Sequence, residues 1–163
     1  VRRTSFENMT CSIAQCLEVV GEWWTMLILR DAFFRVTRFD DFQRRLGIGR
    51  NVLTQRLEHL VAHGILQRVP YQEHPVRYDY RLTDKGRDLW QVLTTMRQWG
   101  DRWAAPAGPP VQTVHRTCSH PMTIVPACSA CGELVELADI RVIPGPGARD
   151  GTALPVTTSA PQP

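Results

Sequence analysis

Two groups of residues in this 163-residue chain have types and spacings that could do chemistry. The first is a late cluster, His115-x2-Cys118-x9-Cys128-x2-Cys131, with Gly132 directly after it. Paired cysteines and histidines two residues apart can bring four nitrogen and sulfur ligands to a tetrahedral ion, as in a zinc ribbon. His120 could replace His115 in that set. Two other readings stay open: a module that docks on the preceding domain without metal, and an isolated redox pair at Cys128 and Cys131. Cys11 stands apart near the start. A helix is expected just after it and Arg2 and Arg3 are near in sequence, a setting that favours a thiolate and makes Cys11 a candidate redox residue. The other reading of Cys11 is a small buried side chain. Cys16, five residues on, falls on a different helical face and reads as packing.

The second group lies on a predicted helix from about Arg50 to His63. Arg50, Asn51, Thr54 and Gln55, with Arg56 beside them, have the donors, acceptors and lengths that reach base edges: arginine for guanine, asparagine or glutamine for adenine, the threonine methyl for thymine. Leu53, Leu57, Leu60 and Val61 form the opposite stripe, which must be buried. A solvated polar face is the plain alternative for such residues, and the neighbouring elements decide between the two.

Those elements alternate in period. Ile13, Leu17 and Val20 mark a first helix closed by Gly21, and Trp23 to Asp31 marks a second. A short amphipathic helix carries Phe39, Phe42 and Leu46, with Thr37 near its start as N-cap. Gly47-Ile48-Gly49 turns the chain into the polar-faced helix, and Gly64 ends that helix. Ile65–Tyr71 and Val76–Leu82 read as strands joined at Gln72-Glu73-His74-Pro75. In the second strand Val76, Tyr78, Tyr80 and Leu82 are expected to point inward and Arg77, Asp79 and Arg81 outward. Thr83-Asp84 caps a long helix to about Trp103. Two short helices across a glycine turn, followed by a β-hairpin, are the parts of a winged helix-turn-helix, a mainly α fold with a small β-wing. His74 and Arg77 at the hairpin tip would lie along a phosphate backbone.

The chain divides into residues 1–103, a Pro/Gly/Ala linker at 104–110, a small β-rich, zinc-ribbon-like module at 111–143, and a Pro/Gly/Ser/Thr tail at 144–163 expected to be disordered. No internal repeat is visible. Residues 1–103 hold 16 Arg/Lys against 12 Asp/Glu, whereas 104–163 hold 3 against 4, so the surplus of positive charge lies in the first part. All but Lys85 of the basic residues are arginine, whose planar fork suits phosphates and guanine. Five cysteines without a secretory leader in Val1–Glu7 argue against a disulfide framework and place the chain in the cytoplasm, with no membrane partner. A Gly-rich phosphate loop, Gly-x-Ser-x-Gly and His-Glu-x-x-His are all absent, so no catalytic residue is assigned and the chain is not read as an enzyme. His59 and His63 read as surface histidines.

The sequence resembles the HxlR-type regulators, a branch of the MarR-like winged-helix proteins. The resemblance rests on Cys11, Gly21-Glu22-Trp23-Trp24-Thr25, Leu27-Ile28-Leu29-Arg30, Arg38-Phe39-Asp40-Asp41-Phe42, Leu53-Thr54-Gln55-Arg56-Leu57, Gly64-Ile65-Leu66, Pro75-Val76-Arg77-Tyr78-Asp79-Tyr80-Arg81-Leu82-Thr83, Lys85-Gly86 and Trp99-Gly100. It implies a homodimer on double-stranded DNA, each subunit presenting a recognition helix to half of a near-palindromic operator, as repressor or activator. Leu89, Leu93, Met96 and Trp99 are the expected dimerisation residues. In some such proteins the cysteine matching Cys11 is a sensor, which implies an oxidant or small-molecule effector. DNA binding itself needs no cofactor in this reading, and zinc belongs to the C-terminal module. Ser12 replaces the family's proline and Trp23 a polar residue; Trp23 is expected in the core or at an interface. A winged-helix module for protein or RNA, without operator preference, is the rival function.

Overall fold

The structure is a computed structural model that describes residues 5–148. Arg2, Arg3 and positions 149–163 of the expected tail lie outside the described residues. The elements run α1 (Ser12–Val20), α2 (Trp23–Phe33), α3 (Phe39–Leu46), α4 (Arg50–Ala62), β1 (Leu66–Glu73), β2 (Val76–Leu82) and α5 (Asp84–Trp103), with a single 3-10 turn at Leu137–Asp139. β1 and β2 pair antiparallel, Leu66 opposite Leu82 and Glu73 opposite Val76, with an irregularity between Pro70 and Gln72.

Leucine spacing builds the centre. Leu53, Leu57 and Leu60 of α4 are wholly buried against Ile28 and Leu29 of α2 and Phe42 of α3. Burial of each such side chain contributes about 1.5–3 kcal/mol. The short α3 is helped by its charges: Asp40 and Asp41 occupy the first turn, Arg44 and Arg45 the last, opposite in sign to the helix dipole at each end. Gly47, at φ 63°, ends it in the left-handed region. Beneath α3 the Asp31 carboxylate is completely buried, 3.0 Å from the Arg45 Nε and held also by Arg30.

The start of α5 is stitched to the end of α4. The Gly86 N–H donates to the Thr83 hydroxyl at 3.1 Å, which itself donates to the carbonyls of Gly64 and Ile65. Lys85 Nζ donates to the His63 carbonyl at 2.8 Å. A Cβ on Gly86 would overlap the Ile65 carbonyl oxygen, so the helix can approach this closely only with glycine there.

Several expectations need correcting. Thr37 is not the N-cap of α3; Arg38 occupies that position. The Thr37 hydroxyl instead donates to Asp79 at 3.2 Å, and the Thr37 carbonyl accepts from the Tyr80 N–H at 2.7 Å. This segment lies along the open edge of β2 through an Arg38–Asp79 bridge. It covers Asp79, which is therefore buried, while Val76 and Tyr78 project beyond the core and are exposed. Only Tyr80 and Leu82 of the expected inner face meet the core. β1 runs two residues further than expected, so the turn narrows to His74-Pro75.

In α1 the buried positions are Ala14 and Val20, and Ile13 is 72% exposed. His59 is half-buried and its Nε2 donates to the Val19 carbonyl at 2.8 Å, so it ties α4 to α1. Trp23 is 87% exposed and belongs to no part of the core, whereas Trp24 packs against it.

Beyond α5, residues 111–148 form no named strand; two isolated bridges, Val114–Pro121 and Ala127–Leu134, take the place of the expected β-rich module. This segment is fastened to α5. Arg97 donates to the Val111 carbonyl and the Thr113 hydroxyl, at 3.1 and 3.0 Å. The Gln98 amide exchanges two hydrogen bonds with the backbone of Ile124, at 3.0 and 2.8 Å.

Candidate nucleic-acid interface

The outward face of α4 is set by what its inward face must bury. With Leu53, Leu57 and Leu60 fixed in the core, Asn51, Gln55 and Glu58 are carried to the opposite side, and all three are exposed. Arg50 is exposed at the first turn. The hydroxyl of Thr54, which is half-buried, donates to the Arg50 carbonyl at 2.9 Å. Gly49 precedes α4 without a side-chain cap, so the helix start offers backbone amides and the positive end of its dipole. Arg56, grouped with these residues on sequence, faces elsewhere. It is mostly buried, lies 3.5 Å from Glu22 at the start of α2, and its Nε has no hydrogen-bond partner.

The wing supplies a second, more basic surface beside the helix. A groove of about 440 Å³ runs between Arg38, Phe39 and Arg50 on one side and Tyr71, Pro75, Arg77 and Tyr78 on the other. Arg38 lies 4.5 Å over the Tyr71 ring, Arg50 4.9 Å over Phe39 and Arg68 5.9 Å over Tyr78. Aromatic faces thus back three guanidinium groups, and Arg38 Nε also lies 3.9 Å from the Asp79 carboxylate. His74 and Arg77 are exposed at the hairpin. Sequence reasoning does not find Arg38, Arg68 and Tyr71. Their pairing depends on the register of the hairpin and on the Thr37–Arg38 segment lying beside it, which no local pattern encodes.

Around this interface the other candidate residues separate. Leu89 and Leu93 are half-buried against the chain's own core, while Met96 and Trp99 are exposed on α5, as is Trp103. Between α2 and α5 lies an apolar groove of about 350 Å³ lined by Met26, Leu27, Phe33, Phe34, Trp90, Leu93 and Met96. Cys11 is exposed at the N-cap of α1, and Cys16 is half-buried against the core. His115 Nδ1 lies 3.4 Å from Cys118 Sγ. The Cys128 thiol is held below its ordinary pKa by the amides of Cys131 and Ala130. Among the described residues, however, no three His, Cys, Asp or Glu side chains are gathered where they could hold a metal ion, so the four expected ligands stand as two pairs.

Among the described residues, five α-helices, a two-stranded wing and a polar helix face beside a basic groove define a winged helix-turn-helix of the transcription-regulator class. The chain belongs to the HxlR-like helix-turn-helix family, which matches residues 19–107. It is similar to an uncharacterized HTH-type transcriptional regulator of Mycobacterium tuberculosis (strain ATCC 25618 / H37Rv), 45% identical over 137 residues that cover 83% of this chain and 87% of the relative. Among solved structures, a candidate transcription factor, PA1607, is 40% identical with a TM-score of 0.77 over 86% of this chain and 99% of its own. A second, PA1374 from Pseudomonas aeruginosa, is 45% identical with a TM-score of 0.63 over 86% and 96%. The redox regulator HypR in its oxidized form is 31% identical with a TM-score of 0.52, over 56% of this chain and 96% of its own. No described helix is long and apolar enough to cross a membrane.

Proposed function

We propose that this chain regulates transcription by reading duplex DNA as a homodimer, with one α4 in the major groove at each half of a near-palindromic operator. Asn51 and Gln55 read base edges, Arg50 reaches guanine or phosphate, and Thr54 offers its methyl to thymine. Arg38, His74 and Arg77 on and beside the wing hold the neighbouring backbone. The observation that carries this reading is the exposure of Asn51 and Gln55 in the N-terminal half of α4, next to a groove walled by ring-supported arginines.

Support for the dimer comes from the exposed apolar side chains Met96, Trp99, Trp103 and Trp23, more than one small monomer leaves in water without a partner. Cys11, exposed at the start of α1, is the thiol assigned to oxidant response, in keeping with HypR being described as a redox regulator. The apolar groove between α2 and α5 is the place for a small effector.

The test is binding of the purified, reduced protein to its own upstream region and to random duplex, at two salt concentrations. Preference for the upstream region, weakening as salt rises, is the expected result. Equal binding to both duplexes, or none by a folded dimer, would overturn operator reading in favour of a protein or RNA partner.

A further inference from the structure

Residues 113–122 and 126–135 trace one backbone conformation twice, thirteen positions apart, although no repeat is visible in the sequence. In the first copy the Ser119 N–H donates to the His115 carbonyl at 2.7 Å, the His115 N–H to the His120 carbonyl at 2.9 Å and the Met122 N–H to the Thr113 carbonyl at 2.9 Å. The second copy repeats each bond: Gly132 to Cys128 at 2.8 Å, Cys128 to Glu133 at 2.8 Å and Val135 to Pro126 at 3.1 Å. The bridges Val114–Pro121 and Ala127–Leu134 correspond, and so do the left-handed residues Ser119 at φ 58° and Gly132 at φ 80°. A serine in that region is uncommon, so the first turn keeps this shape with a residue that does not favour it.

Each copy is a tight turn with its ligand-type residues at the first and fourth positions: His115 and Cys118, then Cys128 and Cys131. The turn brings the two side chains to the same side. The 3.4 Å separation of His115 Nδ1 and Cys118 Sγ matches one edge of a zinc tetrahedron, about 3.5 Å for a nitrogen at 2.0–2.1 Å and a sulfur at 2.3 Å from the ion. The second copy repeats the same turn backbone, which sets Cys128 and Cys131 in the corresponding arrangement. The segment also lacks the other means of holding a fold. No side chain from residue 111 to 148 is buried, and Val114, Val125, Leu134, Leu137 and Ile140 are all more than half exposed. A module this small and without a core is ordinarily stapled by metal or disulfide.

We propose that His115, Cys118, Cys128 and Cys131 of one chain bind a single zinc-type divalent cation as a closed, structural four-coordinate site. The two turns are separated by residues 123–125 alone, and Ile124 within that link is anchored to Gln98. The ion draws the two pairs together across this short link. Binding converts the three thiols to thiolates and releases their protons to solvent, so affinity falls as pH falls. No electron is transferred.

The experiment uses the full chain, purified under reducing conditions, with metal content measured by elemental analysis and cobalt(II) substitution followed by absorption. The expected result is close to one zinc per chain. Cobalt should give the visible bands of a tetrahedral site and a thiolate-to-metal band in the near ultraviolet. Cys118→Ser and Cys131→Ser should each lose the metal while helical circular dichroism shows the winged helix still folded. His120→Ala should retain it. His115→Cys should also retain it, with a stronger thiolate band, because four sulfurs satisfy the same geometry. One zinc per two chains would overturn the single-chain site in favour of an ion shared between copies. Absence of metal from the reduced wild type, undiminished binding in Cys118→Ser and Cys131→Ser, or a Cys128–Cys131 disulfide in place of metal would each overturn the proposal.

Discussion

Arg45 on α3 places its Nε 3.0 Å from the fully buried carboxylate of Asp31 on α2. The hydrogen bond to Asp31, and then the charge of that carboxylate, hold the Arg45 guanidinium above its ordinary pKa. Because α4 follows α3 across only Gly47-Ile48-Gly49, this pair sets the seat from which the polar helix projects. Asp31→Ala removes the central anion and leaves Arg30 and Arg45 facing a void. It should destabilise the protein, though by less than the loss of one partner from a wholly buried pair, because Arg30 and Arg45 are 44% and 48% exposed and water can solvate them. Urea denaturation checks the loss. Arg45→Met should cost less, because Arg30 still holds the carboxylate.

Asn51→Ala and Gln55→Ala should each reduce discrimination at particular operator bases by about 1–3 kcal/mol, with little change in affinity for random duplex. Competition binding against a set of single-base operator variants measures this. Arg56→Ala serves as the contrast: with its side chain at Glu22, it should lower thermal stability while leaving base preference intact. A base-specific loss in Arg56→Ala would mean that α4 turns about its axis on the duplex and brings Arg56 to the bases.

Arg77→Ala and Arg38→Ala should weaken binding to all duplexes alike. Each should lower the slope of log affinity against log salt by about 0.9, the contribution of one neutralised phosphate. Tyr71→Ala should reproduce part of the Arg38 effect without removing a charge, since it takes away the ring 4.5 Å beneath that guanidinium. Affinities measured across a salt series separate these outcomes from loss of base reading.

Trp99→Glu and Met96→Glu should shift the protein from dimer to monomer in sedimentation equilibrium while leaving its helical signal unchanged, because both side chains are exposed in the single chain. Leu93→Glu should instead unfold it, since that side chain packs on the chain's own core. Should the Trp99→Glu protein stay dimeric, the pairing surface lies away from this part of α5.

Gly86→Ala should destabilise the protein by about 1–3 kcal/mol, the usual cost of forcing extra volume into a packed contact, because the new methyl meets the backbone oxygen of Ile65 rather than a side chain able to move. A melting temperature at or above that of the parent protein would show that α5 can draw back from Ile65 and Leu82 without cost.

What is legible in the sequence is what local periodicity determines. Leu53, Leu57 and Leu60 repeat at helical spacing, so α4 and its outer residues Asn51 and Gln55 can be placed without knowing the fold. The cap at Thr83 and the wing are readable for the same reason. Asp79 defeats the alternation rule because its burial comes from Thr37, forty-two positions away in the chain. Arg56 is next to Gln55 in the chain but about 100° from it around α4 and only about 40° from Leu60, so helical spacing already sets it beside the buried stripe, where Glu22 meets it. Leu89 and Leu93 share their stripe with Met96 and Trp99, but the core ends partway along α5, so one stripe serves two surfaces. The twin turns leave no sequence repeat because they share backbone shape and ligand chemistry, with hardly any residues in common.

Gln98 and Arg97, which fasten the appended segment, sit on the same turn of α5 as the exposed Met96 and Trp99. Ending the chain where the family match ends, at residue 107, would therefore do more than delete a tail. It would strip the Gln98 amide of both backbone partners and open the cleft of about 550 Å³ walled by Trp99, Trp103, Val111 and Met122. A trimmed winged helix would carry a wetter and differently shaped α5, and its self-association would describe a new molecule rather than a smaller version of this one.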